Sequence, residues 1–183
     1  MRYPEQVAED GRAAHRCRHR SVVAALLALV GIGMTSPATA GDVSLLINGK
    51  AFHIDPPANT NYNERNWGVG IQYELDERVK ENWVTFLQAS EFRDSNRNVS
   101  AYAGGGLMRR YEFRSGDVRL DAGAIAFLMY RKDFRGGNLF PGVLPALSIG
   151  TPRVALNLSY VPKVDPKMVP IVFVQLKLTL GKL

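Results

Sequence analysis

Asp94 and Ser95 set a carboxylate beside a hydroxyl in the polar stretch Phe92-Arg93-Asp94-Ser95-Asn96-Arg97-Asn98. A serine is a weak nucleophile until a base takes its proton; histidine is the usual base, and a carboxylate commonly orients it. Beyond residue 40 the chain carries a single imidazole, His53. His53, Asp94 and Ser95 are therefore the candidate catalytic set. The stretch that follows, Val99 to Gly106, ends in three consecutive glycines, Gly104, Gly105 and Gly106. Glycines in a strand leave space beside the backbone, and this run reads as a slot for a chain-like substrate. The plain alternative is an Asx turn at Asp94-Ser95, a rim histidine at residue 53 and a bent strand. Adjacent residues of a regular strand point to opposite faces, so Asp94 and Ser95 can serve one site only if the chain turns between them.

The elements that must position these residues begin after a leader. Residues Ser21 to Gly33 form an apolar run preceded by Arg16, Arg18 and Arg20 and followed by the small-x-small site Ala38-Thr39-Ala40. That order is a secretory signal peptide, cleaved after Ala40, and the run is short for a spanning helix. Residues 1–40 are read as the leader and 41–183 as one domain. Five of the 23 basic and three of the 17 acidic residues fall in the leader, which leaves a net charge of +4. There is no Lys/Arg block of the kind that marks nucleic-acid binding. The single cysteine, Cys17, is in the leader, so neither a disulfide framework nor thiol chemistry is expected of the exported chain. One histidine cannot build a multi-histidine metal site. No metal and no other cofactor is expected.

What recurs along residues 41–183 is a short alternating run between turns. Eight are counted: 43–54, 67–75, 82–93, 98–113, 118–131, 143–150, 153–162 and 171–181. In the second, Trp67, Val69, Ile71, Tyr73 and Leu75 oppose Gly68, Gly70, Gln72 and Glu74. In the last, Val172, Val174, Leu176, Leu178 and Leu180 oppose Phe173, Gln175, Lys177 and Thr179. Period two with aromatics near run ends fits an eight-stranded antiparallel up-and-down transmembrane β-barrel, apolar outside and mixed inside. A soluble sandwich or lipocalin-like barrel also alternates. The third run alternates poorly, and its faces are not assigned from pattern. Connections after runs two, four and six are short, and those after one and five are long and polar, as outer-membrane barrels arrange them. The long ends lie outside, so His53 and the Asp94-Ser95 turn share the outer rim.

Five blocks, in order and at similar spacing, resemble the PagP family of outer-membrane lipid A palmitoyltransferases. They are Tyr62-Asn63-Glu64-Arg65-Asn66-Trp67-Gly68-Val69-Gly70, Phe92-Arg93-Asp94-Ser95, Ala103-Gly104-Gly105-Gly106, Leu144 to Gly150, and Tyr160-Val161-Pro162. The resemblance implies transfer of a palmitoyl-like chain from a phospholipid donor to a lipid A acceptor in the outer membrane. It carries the family's essential His, Asp and Ser onto His53, Asp94 and Ser95. It puts the glycine floor of the acyl-chain ruler at Gly106, with the chain lying against Gly104 and Gly106. A lateral gate between strands six and seven falls at Pro145 and Pro162, since proline cannot donate to the ladder. The chain departs from the family where Asn66 stands in place of a proline, and no proline precedes Val43. A monomer is expected. A lipid esterase using water as acceptor and a non-catalytic barrel binding a hydrophobic ligand are the alternatives. Mass spectrometry of the exported protein should find its N-terminus at Gly41.

Overall fold

A computed structural model describes residues 41–76, 80–113, 117–164 and 168–182; the expected leader lies outside the described residues. Eight strands follow in chain order. They are β1 (Asp42–His53), β2 (Arg65–Glu74), β3 (Trp83–Arg93), β4 (Val99–Glu112), β5 (Arg119–Arg131), β6 (Leu139–Gly150), β7 (Val154–Val161) and β8 (Ile171–Lys182). Each pairs antiparallel with the next, and β8 returns to β1, so the sheet is a closed barrel. The expected runs match these strands to within a residue or two, except that β6 starts four residues early, at Leu139. Closure runs the length of both strands, from Asp42 opposite Lys182 to His53 opposite Ile171. No free edge is left there, as a strand-built membrane span requires.

The outer surface is apolar. Trp67 and Val69 are 63% exposed and Val143 is 69% exposed, with Leu107, Leu128, Leu147, Ile149, Leu156 and Tyr160 around them. A water-soluble chain seldom displays so broad an apolar surface; a band facing lipid does. The β3 faces that the pattern left open are now assigned. Val84, Phe86, Gln88, Ser90 and Phe92 are buried on the inner side.

The lumen is layered. At the end of short connections, Arg110 on β4 donates to both oxygens of Asp121 at 2.9 Å and to Glu74 at 3.0 and 3.2 Å. Lys177 is buried against the same end. Above this plug lies an apolar layer of Phe86, Met108, Ile125 and Ala146, with Phe127 packed on it. A polar lattice crosses the lumen at about mid-height. Asn48 donates to Ser90 at 2.7 Å, and Gln175 donates to Asn48 at 2.7 Å and to the Tyr102 hydroxyl at 3.2 Å.

Pairing between β6 and β7 is incomplete. It runs from Gly150 opposite Ala155 only to Ala146 opposite Ser159. On its other side β6 stays paired with β5 up to Leu139 opposite Tyr130. Residues 139–145 are thus an edge facing β7, and both β6 prolines, Pro141 and Pro145, fall within it. Proline is confined to such edges because it lacks a ladder donor.

The charged plug yields a stability prediction. Arg110→Met would leave the buried Asp121 and the half-buried Glu74 without their guanidinium, a loss of about 3–5 kcal/mol. Urea titration in detergent micelles should show that loss, with the barrel still forming without denaturant.

Candidate active site

The β3–β4 turn has its own internal logic. Arg97 N–H donates to the Asp94 carbonyl at 2.9 Å and Asp94 N–H to the Asn98 carbonyl at 2.8 Å. Arg97 takes a left-handed conformation, φ 62°. The Asp94 side chain fastens the turn: Oδ1 accepts from the Asn96 N–H at 3.0 Å and the Asn98 N–H at 2.9 Å. Oδ2 accepts from Ser100 Oγ at 2.9 Å and sits 3.6 Å from Arg131 Nε. This bend breaks strand alternation, which lets Ser95 turn toward the lumen mouth.

There Ser95 Oγ meets His53 Nε2 at 3.0 Å. His53 ends β1 and Ser95 follows β3, so both stand at the rim with the long connections, as the parity of the loops requires. Asp94 is not the group that orients the imidazole. Its three hydrogen bonds and its ion pair go to its own turn, to Ser100 and to Arg131. A carboxylate has about four lone-pair sites, and these partners take them up. The Asx-turn reading thus describes Asp94, while Ser95 makes the contact to histidine.

The ring that lies against His53 is Tyr62, with centroids 4.3 Å apart and planes 9° from parallel. Tyr62 belongs to the first long connection, which folds back over the turn. Asn63 N–H donates to the Ser95 carbonyl at 2.8 Å, and Asn63 Nδ2 donates to the Asp94 carbonyl at 3.1 Å. Asn66, fully buried, donates to the Arg93 carbonyl at 2.7 Å. On the other side of the turn, Asn96 Nδ2 donates to Asp133 Oδ2. Burial pushes the Asp133 carboxyl up, but the Asn96 amide and the Arg131 guanidinium outweigh it and hold the group below the usual carboxylate range.

A cavity of about 790 Å³ opens beside this pair. It runs from His53 and Ser95 past Phe92, Tyr102 and Phe127 toward Phe86, Met108 and Ile125. Its size falls among small-molecule sites, roughly 300–1,000 Å³. From Asp94 to Phe86 the strand covers about 26 Å at ~3.3 Å per residue. The glycines do not leave the open slot expected of them. A Cβ on Gly106 would run into the Phe86 ring, and one on Gly104 into Phe127. At Gly106 the Phe86 ring from β3 fills that space and faces the cavity, and at Gly104 the β5 backbone at Ala126 and Phe127 comes close. Pro162 lines the cavity, while Pro145 is exposed on β6 between the lining residues Leu144 and Ala146. Both lie at the unpaired stretch between β6 and β7.

A family model described as "Antimicrobial peptide resistance and lipid A acylation protein PagP" matches residues 36–176. The chain belongs to the PagP family. It is accordingly a β-barrel of the bacterial outer membrane. Among solved structures it is similar to Ail of Yersinia pestis, at 12% identity and TM-score 0.45, over 79% of this chain and 98% of that one. It is also similar to Neisserial surface protein A, at 15% identity and TM-score 0.42, over 77% of this chain and 97% of that one. No curated protein matches the sequence. The Tyr62-to-Gly70 block that carried the resemblance supplies Tyr62, Asn63 and Asn66, which hold the turn and the imidazole here. Its roles went unread in the sequence, as did that of Arg131.

The two rim groups separate by experiment. Asp94→Ala removes the acceptor of two turn amides and a buried hydroxyl and should cost about 1–3 kcal/mol of unfolding free energy. His53→Ala removes a half-buried ring and should cost less. Denaturant titration of both variants in micelles checks the order.

Proposed function

We propose that this PagP-family barrel is an acyltransferase that moves a palmitoyl-like chain from a phospholipid to a hydroxyl of lipid A. The observation that carries the reading is the 3.0 Å contact of His53 Nε2 with Ser95 Oγ at the mouth of a long, mostly apolar cavity. The donor chain enters sideways where β6 and β7 part, beside Pro145 and Pro162, and lies down the lumen with its ester at the rim. The aromatic layer below sets how much chain fits.

His53 is the base, acting through Nε2. Ser95 serves either as nucleophile or as the hydroxyl that relays a proton between His53 and the acceptor. In the first case Ser95 Oγ bonds to the ester carbonyl carbon and its proton passes to His53. The carbon–oxygen bond to the glycerol breaks, and the lysophospholipid oxygen takes that proton. The acceptor hydroxyl then repeats the step in reverse order. In the relay case the acceptor oxygen bonds directly to the ester carbonyl carbon and its proton travels through Ser95 to His53; the carbon–oxygen bond to the glycerol breaks, and the lysophospholipid oxygen takes the proton back from His53. Asp94 contributes by holding the turn that aims Ser95. No cofactor is needed for either route, and one barrel supplies all the residues, so the protein acts as a monomer.

Lipid A mass spectra from cells with and without the protein test the proposal. Lipid A should gain one acyl chain, and His53→Ala and Ser95→Ala should each abolish the gain while the barrel still folds. Free fatty acid release without lipid A modification would favour an esterase. In the same assay Gly106→Met should shorten the accepted chain, because the larger side chain must drive the Phe86 ring up into the cavity.

A further inference from the structure

We infer that the dipeptide Tyr62-Asn63 is the positioning element of the reactive pair, with Tyr62 fixing the plane of the His53 imidazole where a carboxylate would ordinarily do so. The inference deepens the proposed acyltransfer and rests on it only for its kinetic arm.

A histidine that serves as base must hold one ring nitrogen on the hydroxyl. In a triad a carboxylate does this by accepting from the other nitrogen. Here the Asp94 carboxylate is taken up by Asn96, Asn98, Ser100 and Arg131. With no carboxylate on its other nitrogen, the imidazole depends on the Ser95 hydroxyl and on whatever covers its face to fix its χ2. The Tyr62 ring does so, 4.3 Å away and within 9° of parallel. Stacking thereby fixes the ring plane, and of the two settings this roughly two-fold torsion then allows, the Ser95 hydroxyl selects the one with Nε2 facing it.

The next residue does the matching work on the other partner. Asn63 uses its backbone N–H on the Ser95 carbonyl and its side chain on the Asp94 carbonyl. It also closes its own loop, accepting from Arg65 N–H at 3.2 Å and donating to the Arg65 carbonyl at 2.9 Å. Two consecutive residues of one connection therefore hold the imidazole and the seryl turn against each other. Neither Tyr62 nor Asn63 supplies or takes a proton in this scheme; both act through His53 and Ser95.

The test uses the full barrel isolated in detergent micelles. In NMR spectra, the His53 ring protons should show cross-relaxation to the Tyr62 ring and resonate upfield under it. Tyr62→Phe should keep that shift, Tyr62→Leu should abolish it, and Asp94→Asn should leave it in place. In transfer assays Tyr62→Leu should lower kcat by about ten- to a hundredfold with KM little changed, the scale of loss that misplacing a reactive group brings. Tyr62→Phe should restore most of that rate. Absence of the Tyr62–His53 cross-relaxation in the unsubstituted protein overturns the inference even if Tyr62→Leu fails to fold. So does full kcat in Tyr62→Leu, or a His53 shift that follows Asp94 instead of Tyr62. If the ring shifts follow Tyr62 but the unsubstituted protein moves no acyl chain, the clamp stands and the acyltransferase reading falls.

Discussion

Closure of β1 on β8 is the constraint from which the rest follows. A strand in hydrocarbon cannot leave its backbone groups unpaired, so the sheet has to meet itself. With only eight strands the interior is then just wide enough for side chains to fill. Every inward residue must find a partner across a narrow lumen. That is why Arg110 on β4 reaches Glu74 on β2 and Asp121 on β5 at once, and why Gln175 on β8 reaches Asn48 and Tyr102. Against this background the parting of β6 from β7 stands out. Two prolines on β6 fall in the unpaired stretch. In the proposed reaction, a gap that sequence chemistry maintains in a barrel otherwise obliged to seal is where the donor chain would enter.

At the rim the burden passes from strands to turns. Eight strands end there, but among the described residues only one turn is fastened by a buried carboxylate, that of Asp94. A buried charge is costly unless its acceptor sites are used, and here hydrogen bonds and a guanidinium use them. The turn is therefore rigid, and the neighbouring Ser95 inherits that rigidity. Assigning Asp94 to structure also frees the electrostatics of the pair. A neutral imidazole accepting from a hydroxyl needs no adjacent negative charge in order to take a proton. What it needs is a fixed ring, and an aromatic face in a half-buried site provides that without pulling another ion out of water.

Much of this was legible in the sequence, and what was hidden has physical causes. β2 and β8 separate polar from apolar cleanly because one face meets lipid and the other a polar lattice. β3 does not, since its inner face carries Phe86 and Phe92 beside Gln88 and Ser90, while Glu91 looks outward. The start of β6 fell in what the pattern gave as the long fifth connection; it carries Pro141, and it is a strand whose one side has no partner to lose. The types His, Asp and Ser at one rim were readable, and so was loop parity. The division of labour was not, because lone-pair occupancy depends on Arg131, which lies on another strand. Spacing did offer a hint: Asp94, Asn96 and Asn98 alternate as an Asx turn would have them. The glycine run misled in a different way. A missing side chain tells where a neighbour approaches closely but not whether that neighbour is a substrate or, as at Gly106, the ring of Phe86.

The inner face of β4 shows how one strand can encode a depth gauge. From the rim inward it reads Ser100, Tyr102, Gly104, Gly106, Met108 and Arg110. The first is tied to the Asp94 turn and the second to the polar lattice. Gly104 lets the β5 backbone at Ala126 and Phe127 come close, Gly106 makes room for the Phe86 ring, Met108 joins the apolar layer, and Arg110 begins the charged plug. An acyl chain descending from the rim would gain from burial as far as those rings and lose at the ions, since hydrocarbon against a buried salt bridge offers nothing to groups taken out of water. In the proposed reaction the stopping depth would then be set twice, by the bulk of Phe86 and by the change from apolar to ionic lining just beneath it. A ruler built on bulk alone could be lengthened by trimming one ring. One backed by a charged layer would have a hard limit, and in the proposed reaction Glu74, Asp121 and Lys177, which line the far end of the cavity, would set it.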